Sequence, residues 1–552
     1  MSEKYVIGVD YGTLSGRGVL VRCSDGKVLA AKAEEYRHGV MDRFLPDGTT
    51  ALPDAWALQY PADYLEVLEH VIPELLRESR IAKTEIVGMG FDFTSCTMLP
   101  IDEDAVPLSE KEEFRDHRNA YAKLWKHHGA QRHADIVNRV LEESGMAGEA
   151  RFGGRISSEV LIPKIMEILE EDPQVYEAAD ELLEAGDWVT RVLTGSHRRS
   201  CSMAGYKAWW DPKKGYLESS VMKKLAPGLE HVSAEKMPGE ICAIGEAVGR
   251  LSEVWAEKLG LQEGMVIAPT IIDSHAGVPG GCLSNDRQAM MVLGTSSVVL
   301  ALSRKPFSEK GVCGGVRDAI VPGYYALESG LACVGDLFGW FVDRFVPADY
   351  AKQAETRGIS VHELLSEKAE MLQPGESGVM ALDWWNGNKT PYVDGGLTGE
   401  LIGMTLNTKP EEIYRALIEA TAFGTRQIME LYEQGGVALE EIIASGGIAM
   451  KNPMLMQIYA DVLGKTIRLA ASDQAAALGS AIYASLSAGV YDSYWDAVQN
   501  MSAVQEKTYV PNPENTETYQ KLYEIYCDLG ELMGEAESRG RTLLAKLRSM
   551  KR

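Results

Sequence analysis

Residues 6–21 read Val-Ile-Gly-Val-Asp-Tyr-Gly-Thr-Leu-Ser-Gly-Arg-Gly-Val-Leu-Val, and a weaker copy at residues 291–302 reads Met-Val-Leu-Gly-Thr-Ser-Ser-Val-Val-Leu-Ala-Leu. When Gly12-Thr13 is aligned with Gly294-Thr295, an apolar β-branched run precedes each pair and another follows it. Each copy therefore predicts two strands joined by a tight turn of Gly, Ser and Thr. Glycine lets a ligand approach the backbone, and the hydroxyl and N–H groups can donate to phosphate. One such hairpin is usually structural, but two predict a pair of loops that hold a polyphosphate from both sides.

Length and composition indicate two large domains. The chain has 552 residues, which is too long for a single hydrophobic core. Its 45% hydrophobic and 24% charged residues are typical of a globular protein. We place the boundary after residue 281, in a Gly- and Pro-rich stretch ahead of a strand that begins near Gln288. The two predicted domains are therefore residues 1–281 and 282–552.

The net charge and the cysteine content indicate which binding partners and which cellular compartment we expect. The net charge of −25 argues against nucleic acid, which is bound through clustered Lys and Arg. The eight cysteines are scattered without a Cys-x-x-Cys pair, which favours reduced thiols in a cytoplasm. The first strand is predicted within five residues of the N-terminus, so we expect no signal peptide. No apolar run approaches the roughly 20 residues that span a bilayer, so we expect no membrane association.

Hydrophobic periodicity predicts an α/β chain throughout. In the first half we expect strands at 5–10, 17–23, 28–34 and 86–91, with helices at 62–77, at 116–146 (helical and polar) and at 157–185 (two helices with a break near Asp172-Pro173). In the second half we expect strands at 289–293 and 297–302, with helices at 331–345, 410–434 and 474–488. The last 40 residues predict one amphipathic helix with a stripe of tyrosines, which could pack on its own domain or on a second subunit. A homodimer is therefore one expectation.

Asp10 is the first candidate for chemistry. A carboxylate at the end of a buried strand, just before a phosphate-sized loop, is suited to hold Mg²⁺ through water. Arg17 would then face the phosphates as a counter-charge. The alternative is that Asp10 only caps the turn. The second copy has Val292 at the corresponding position, so at most one copy can recruit a metal ion.

A strand–Gly-Gly–helix unit at 441–463 is the second candidate. Gly446 and Gly447 follow an apolar strand, and Asn452 with Pro453 has the pattern of a helix start. Paired glycines at the carboxyl end of a strand leave a flat surface for an adenosine. The nearby Gly464-Lys465-Thr466 ends like a Walker A loop but lacks its first glycine and follows a helix, so we interpret it as a helix C-cap.

Asp273 is the third candidate, at the predicted domain boundary. A carboxylate there could take the proton of an acceptor hydroxyl as a phosphoryl group is transferred. Equally, it could be the N-cap of a short turn. The histidines at 127, 128 and 133 lack neighbouring acids or cysteines at ligand spacing, so we expect a polar surface or interdomain helix rather than a metal site.

Taken together, the hairpins, the Gly-Gly segment and the boundary aspartate resemble the actin-like ATPase superfamily, and within it the FGGY carbohydrate kinases. The resemblance covers nearly the whole chain. It includes the segments Gly90–Thr97, Asn119–His128, Gly153–Glu159, Gly186–Val189, Ala204–Trp210 and Gly396–Gly399. Leu124-Trp125-Lys126-His127-His128 is similar to the ribulose-phosphorylating members in particular, whereas the glycerol- and xylulose-phosphorylating members differ there.

This resemblance implies two actin-like (ribonuclease H-like) domains around a cleft for nucleotide and sugar. It implies ATP and Mg²⁺ as cofactors and a ketopentose, L-ribulose, as acceptor, phosphorylated at its terminal 5-hydroxyl. Asp273 matches the catalytic base and Asp10 the acid that holds Mg²⁺, directly or through water. The matching nucleotide residues are Thr13, Ser15, Arg17, Gly294, Thr295, Gly446, Gly447 and Asn452. The matching sugar residues are Ser95, Lys207, Asp273 and Glu328.

Other functions fit parts of the same pattern. A kinase for xylulose, ribitol or glycerol would share every nucleotide feature, and only an acceptor screen separates these. An actin- or chaperone-like ATPase would hydrolyse ATP slowly without sugar, but the long insertions around 110–240 favour a small-molecule pocket. A non-catalytic sugar sensor would need neither Asp10 nor Asp273.

Overall fold

Two mixed sheets of seven strands each organise the molecule, in a computed structural model that describes residues 3–146, 155–307, 309 and 311–550. The N-terminal sheet contains, in spatial order, Gly249–Arg250, Val266–Ile267, Ile86–Phe93, Tyr5–Tyr11, Ser15–Arg22 and Val28–Glu35, with Ile271–Ile272 also paired to Ile86–Phe93. The C-terminal sheet contains, in spatial order, Cys313–Arg317, Tyr325–Leu331, Ser297–Ser303, Gln288–Leu293, Glu441–Ser445, Thr466–Ala470 and Val504–Tyr509.

The two sheets share one topology. In each, the first strand of the Gly-Thr hairpin is antiparallel to the second strand. That first strand is also parallel to a later one: Tyr5–Tyr11 beside Ile86–Phe93, and Gln288–Leu293 beside Glu441–Ser445. The repeat in the sequence is therefore a repeat of the fold, and the predicted α/β class with two domains is confirmed. The chain position of the boundary stays a prediction.

Smaller sheets and the helices surround these two. The remaining strands are Leu58–Gln59, Ala122–Lys123, Met98–Ile101 and Glu181–Glu184 in a four-stranded sheet, and Arg199–Ser200 with Ile241–Cys242 and Met380–Leu382 with Glu400–Ile402 in two-stranded sheets. The helices of the first half are Ala62–Ser79, Gln131–Glu143, Leu161–Glu171, Pro173–Ala178, Ala185–Thr194, Cys201–Lys207, Ser219–Leu225, Val232–Glu235, Glu253–Leu259 and Asp273–Gly280. Those of the second half are Gly335–Phe345, Ala348–Arg357, Val361–Glu370, Pro410–Gln434, Gly447–Lys451, Pro453–Leu463, Ala475–Ser487, Tyr494–Met501, Pro513–Gly534 and Arg539–Ser549. Short 3₁₀ turns lie at Lys83–Glu85, Leu108–Glu110, Glu112–Phe114 and Arg118–Ala120.

Helix Ala475–Ser487, which we call the crossing helix, comes from the second half of the chain but packs on the N-terminal sheet. Its small residues, Ala-Ala-Ala-Leu-Gly-Ser-Ala, allow a close approach. A Cβ added at Gly8 would overlap the carbonyl oxygen of Ala477, and one at Gly90 would overlap that of Ser480. Glycine is therefore required in both strands for the backbones to touch, since any larger residue would push the helix away.

The segment predicted as a polar helix at 116–146 is different in the structure. Only Gln131–Glu143 is an α-helix, and residues before it form a 3₁₀ turn and the strand Ala122–Lys123. The prediction of a polar surface is wrong for His127 and His133, because both are buried. For His127 the reason is Glu167, whose carboxylate pairs with Lys123 Nζ at 2.6 Å and lies 2.8 Å from His127 Nε2. His133 Nε2 lies 2.9 Å from Glu170 Oε2. Charged side chains that pair in the core look like solvent-exposed ones in the sequence.

The break near Asp172-Pro173 is confirmed, since helices Leu161–Glu171 and Pro173–Ala178 meet there. The continuation of the second helix to residue 185 is wrong, because Glu181–Glu184 is a strand. Of the Gly153–Glu159 motif, Gly153 and Gly154 lie outside the described residues.

The C-terminal segment forms two helices, so the prediction of one helix is wrong. Pro513–Gly534 ends at a glycine that faces the Tyr392 ring, and Ser538 caps the second helix by accepting from Arg541 N at 3.1 Å. The predicted tyrosine stripe packs on the core of its own C-terminal domain. Within it, Tyr526 OH donates to Asp383 Oδ1 at 2.7 Å.

All eight cysteines are described and none forms a disulfide. Across the described ranges, the structure has no helix with the length and apolar character needed to cross a membrane.

The Tyr526–Asp383 bond gives a stability prediction. Burial raises the pKa of the Asp383 carboxyl to about 6, and the Tyr526 hydroxyl acts in the opposite direction. Tyr526→Phe removes the hydrogen-bond donor and leaves a buried acceptor unpaired. We therefore expect the free energy of unfolding, measured with urea, to fall by about 1–3 kcal/mol. Tyr523→Phe is the matched control, since its partner Glu430 keeps 37% of its side chain exposed and water can replace the lost hydroxyl. If Tyr526→Phe and Tyr523→Phe lowered the free energy of unfolding equally, the buried Tyr526–Asp383 bond would not have the stabilising role assigned to it.

Candidate active site

Three aspartates meet at the carboxyl edge of the N-terminal sheet. Asp10 and Asp92 are register partners on neighbouring parallel strands, and Ile271 is the partner of Asp92 on the other side. Asp273 follows two residues after Ile271. Because carboxyl ends of parallel strands lie at one edge, this is where ligands bind in open α/β sheets.

Asp92 is fully buried and links this edge to the crossing helix. Ser480 Oγ donates to its Oδ2 at 2.7 Å, whereas Oδ1 has no hydrogen-bond partner among the described residues. Burial, together with the charge of Asp10, raises the pKa of Asp92 well above its usual range. Asp10 therefore lies beside a neighbouring carboxyl, while the turn after it is closed by Gly12 N donating to Ser15 O at 3.0 Å.

Asp273 is the first residue of helix Asp273–Gly280, and Ile272, not Asp273, occupies the N-cap position. Its Oδ1 accepts from Ser274 N at 2.7 Å. Burial raises the pKa of Asp273 to about 7, and Asp10 and Glu328 act in the same direction. A carboxyl that titrates near neutral pH can accept a proton and release it again, which suits a general base.

Three side chains hold the first Gly-Thr loop. Trp125 Nε1 donates to Thr13 Oγ1 at 3.1 Å, Gln59 Nε2 donates to Thr13 O at 2.8 Å, and Tyr36 OH donates to Gly12 O at 2.8 Å. Ser15 opens the next strand, half-buried. The loop shape is therefore imposed by elements outside the hairpin.

Arg17 lies opposite Asp10 in the antiparallel register. Its Nη1 donates to Oε1 of Gln474 at 3.0 Å, at the start of the crossing helix. The structure thus gives this guanidinium a partner from the second half of the chain.

The second loop and the Gly-Gly segment lie together at the edge of the C-terminal sheet. Gly294 and Thr295 are exposed at the hairpin turn, and a Cβ added at Gly446 would overlap the backbone of Leu293. Gly447 is exposed and opens helix Gly447–Lys451. The backbone of this region therefore faces outward over two neighbouring strand ends.

Asn452 caps helix Pro453–Leu463 as predicted. Its Oδ1 accepts from Leu455 N at 3.0 Å, and its Nδ2 donates to Ser366 Oγ at 3.1 Å. Both ends of the amide are thus engaged within the protein. Gly464 is in the left-handed conformation that ends this helix, so the C-cap interpretation of Gly464-Lys465-Thr466 is confirmed.

Polar side chains from both halves of the chain lie within electrostatic range of Asp273, among them Lys207 and Glu328. Ser95 Oγ donates to Glu184 Oε2 at 3.4 Å, and burial raises the pKa of Glu184 to about 7. Burial disfavours the charged form of Lys207, but Glu159, Glu328 and other acids outweigh it and raise the Lys207 pKa.

Glu328 comes from strand Tyr325–Leu331 of the C-terminal sheet. Although burial opposes its ionisation, the hydrogen bond and charge of His275, together with Lys207, lower the pKa of Glu328. An ionised Glu328 carboxylate therefore lies within electrostatic range of a protonated Lys207.

Asp92 and Trp125 were present in the quoted motifs without a role, and His275 lies two positions after the candidate Asp273. Asp92 is a charged residue inside an apolar stretch, which is the signal that could have singled it out. Glu184 had no such signal, because its neighbours Leu182 and Leu183 fit a helix as well as a strand.

The family models agree with this architecture. The N-terminal domain model of the FGGY family of carbohydrate kinases matches residues 5–280, and the C-terminal domain model of that family matches residues 289–488. The chain belongs to the FGGY family of carbohydrate kinases, whose members use ATP.

Curated proteins named ribulokinases are similar to this chain over nearly its full length. The chain is 48% identical to the ribulokinase of Bacillus licheniformis over 526 residues, covering 95% of each protein. It is 45% identical to that of Halalkalibacterium halodurans, with 100% of this chain and 98% of that protein covered. Among solved structures, xylulose kinase from Rhodospirillum rubrum superposes with a TM-score of 0.79 at 21% identity, over 96% of this chain and 98% of that one. This last likeness shows the fold alone.

The Trp125–Thr13 hydrogen bond predicts an effect on ATP use. Trp125→Phe keeps the ring but removes the donor, so the loop loses one of its three constraints. A neutral hydrogen bond contributes about 0.5–1.5 kcal/mol, so we expect the KM for ATP to rise about two- to tenfold. Trp495→Phe, at a packed ring contact with Tyr324, is the control and should leave this KM unchanged. An unaltered KM in Trp125→Phe would show that Trp125 does not shape the loop.

Proposed function

We propose that the protein is an ATP-dependent kinase that converts L-ribulose to L-ribulose 5-phosphate, with release of ADP. The observation that carries the proposal is Asp273, at the carboxyl edge of the N-terminal sheet, with its pKa raised to about 7 and Asp10 and Glu328 within electrostatic range. The choice of acceptor rests on relatives named ribulokinases, which are 40–48% identical over nearly the full length.

In the proposed reaction Asp273 accepts the proton of the terminal hydroxyl while that oxygen forms its bond to the γ-phosphorus of ATP. The bond between this phosphorus and the β,γ-bridging oxygen breaks, and ADP leaves. Proton transfer to a positioned base contributes on the order of 10²–10⁴ in rate. Positioning of the two substrates and neutralisation of phosphate charge supply much of the remainder.

Mg²⁺ is proposed as the cofactor, held by Asp10 directly or through water. Asp10 is half-buried and is the register partner of Asp92, whose Oδ1 is buried without a partner among the described residues, so carboxyl oxygens are close together at this edge. In those same residues no three His, Cys, Asp or Glu side chains form a metal cage. Mg²⁺ fits this donor set, because it uses one or two carboxylates and takes its other ligands from water and phosphate. When bound, it would neutralise phosphate charge.

The nucleotide is proposed to lie between the two Gly-Thr loops. Thr13, Ser15 and Arg17 on one side and Gly294 and Thr295 on the other would contact phosphates. Gly446 and Gly447 would lie under the adenosine, with Asn452 holding the helix behind them. Ser95, Lys207 and Glu328 would contact sugar hydroxyls, and eight unpaired cysteines support a cytoplasmic enzyme.

An acceptor panel tests the proposed function. With Mg-ATP, we expect L-ribulose to give a higher kcat/KM than D-xylulose, ribitol or glycerol in a coupled ADP-release assay. ADP release without acceptor should be a small fraction of that rate, because the domains close over the sugar before transfer. A preference for glycerol or a sugar-independent ATPase would reject the proposal.

The variant Asp273→Asn tests whether Asp273 accepts the proton of the sugar hydroxyl. The amide keeps the shape of the carboxyl but accepts no proton, so kcat should fall at least about a hundredfold while KM values change little. Asp383→Asn, at another buried carboxyl with a raised pKa, is the control and should keep nearly full turnover. Normal turnover in Asp273→Asn would remove Asp273 from the mechanism.

A further inference from the structure

His275 is the third residue of helix Asp273–Gly280, two positions after the proposed base. Its side chain is fully buried, and the Tyr206 ring packs against it with ring centroids 4.5 Å apart. Tyr206 OH in turn donates to Ala326 O at 2.9 Å, in the strand that carries Glu328. The imidazole is therefore held in place from both halves of the chain.

The only hydrogen bond recorded for this imidazole within the described residues is to Glu328. His275 Nε2 lies 2.8 Å from Glu328 Oε2, whereas Nδ1 is buried and has no partner in that part of the chain. Since a carboxylate only accepts, Nε2 must carry the hydrogen. The bond joins the N-terminal domain to a carboxylate of the C-terminal sheet.

Glu328 keeps 31% of its side chain exposed, so a ligand can reach it. One oxygen is fixed by His275, which leaves the other oxygen to accept from a ligand. The charge of Lys207 also favours the ionised form of this carboxylate. A carboxylate fixed at one oxygen has far fewer orientations to lose when it binds a hydroxyl.

We propose that His275 is a positioning residue for the acceptor sugar: it orients Glu328 to accept from a sugar hydroxyl. This inference rests on the proposed function. The sugar would be held at Glu328 while its terminal hydroxyl lies at Asp273. Because Asp273 and His275 are two residues apart on one helix, their side chains point to different sides of it, so Asp273 and Glu328 would contact different hydroxyls of the sugar.

A matched pair of amides tests this role. In His275→Gln the side-chain nitrogen can reach the place of imidazole Nε2, whereas in His275→Asn it falls near Nδ1 and cannot reach Glu328. We expect His275→Asn to raise the KM for L-ribulose at least about tenfold, because a hydrogen bond to a charged group is lost. His275→Gln should stay within about threefold of the wild type, and the KM for ATP should change less than twofold in both.

A double-mutant cycle separates positioning from a loss of packing. If His275 acts through Glu328, the effect of His275→Asn on sugar KM should nearly vanish in a Glu328→Ala background, which has no acceptor left to orient. Additive effects, equal behaviour of the Asn and Gln variants, or an unchanged sugar KM would each overturn the inference. Thermal unfolding of all variants identifies any that fail to fold. If His275→Asn is one of these, His275→Gln is compared with Glu328→Ala, and a raised sugar KM is expected only in Glu328→Ala.

A failure of the His275 inference can be distinguished from a failure of the proposed function. If the wild-type enzyme prefers another acceptor, the proposed function is wrong, and the same variants are compared on the KM of that acceptor. If titration calorimetry and the acceptor panel show that the wild type neither binds nor phosphorylates any of these sugars or polyols, both proposals fail.

Discussion

The contact between the crossing helix and the glycines of the N-terminal sheet is the constraint on which the site depends. Gly8 and Gly90 let the helix backbone touch the strands, and a Cβ at either position would separate them. Ser480 and Gln474 reach Asp92 and Arg17 only at this separation. The second half of the chain is thereby anchored beside the carboxyl edge that carries the three aspartates.

The site is strongly acidic before any ligand binds. Asp10, Asp92 and Asp273 meet at one sheet edge, and each ionised carboxylate makes the next harder to ionise. Burial is the larger cause of the raised pKa of Asp273, and the charge of Asp10 adds to it. Lys207 and His275 act on Glu328 in the opposite direction and favour its ionised form. Carboxyl groups close to one another thus differ in pKa because their environments differ, which is what the proposed roles of base, metal-binding acid and sugar-binding acid require.

Hydrophobic periodicity and capping residues correctly predicted the strands and helices in which each face meets the same surroundings, core or solvent, from one end to the other. The hairpin strands, helix Pro410–Gln434 and the Asn452 cap follow directly from periodicity and capping chemistry. The prediction failed at 116–130, where Lys123 and His127 look solvated but pair with Glu167 in the core. It failed again at the C-terminus, where two helices replace the predicted one and Tyr392, over 140 residues earlier in the chain, packs at Gly534 at the end of the first. In both places the segment contacts residues that are distant in sequence.

The sequence alone determined the repeated Gly-Thr hairpins, the α/β class and the candidate residues Asp10, Asp273 and Gly446, because glycine turns and strand-end carboxylates are local features. The tertiary structure decided which of them meet. Asp92 joins Asp10 through strand register, and His275 joins Glu328 across the two halves of the chain. Pairing, burial and pKa depend on distances between side chains far apart in the chain, and those distances exist only once the sheets and the crossing helix have packed.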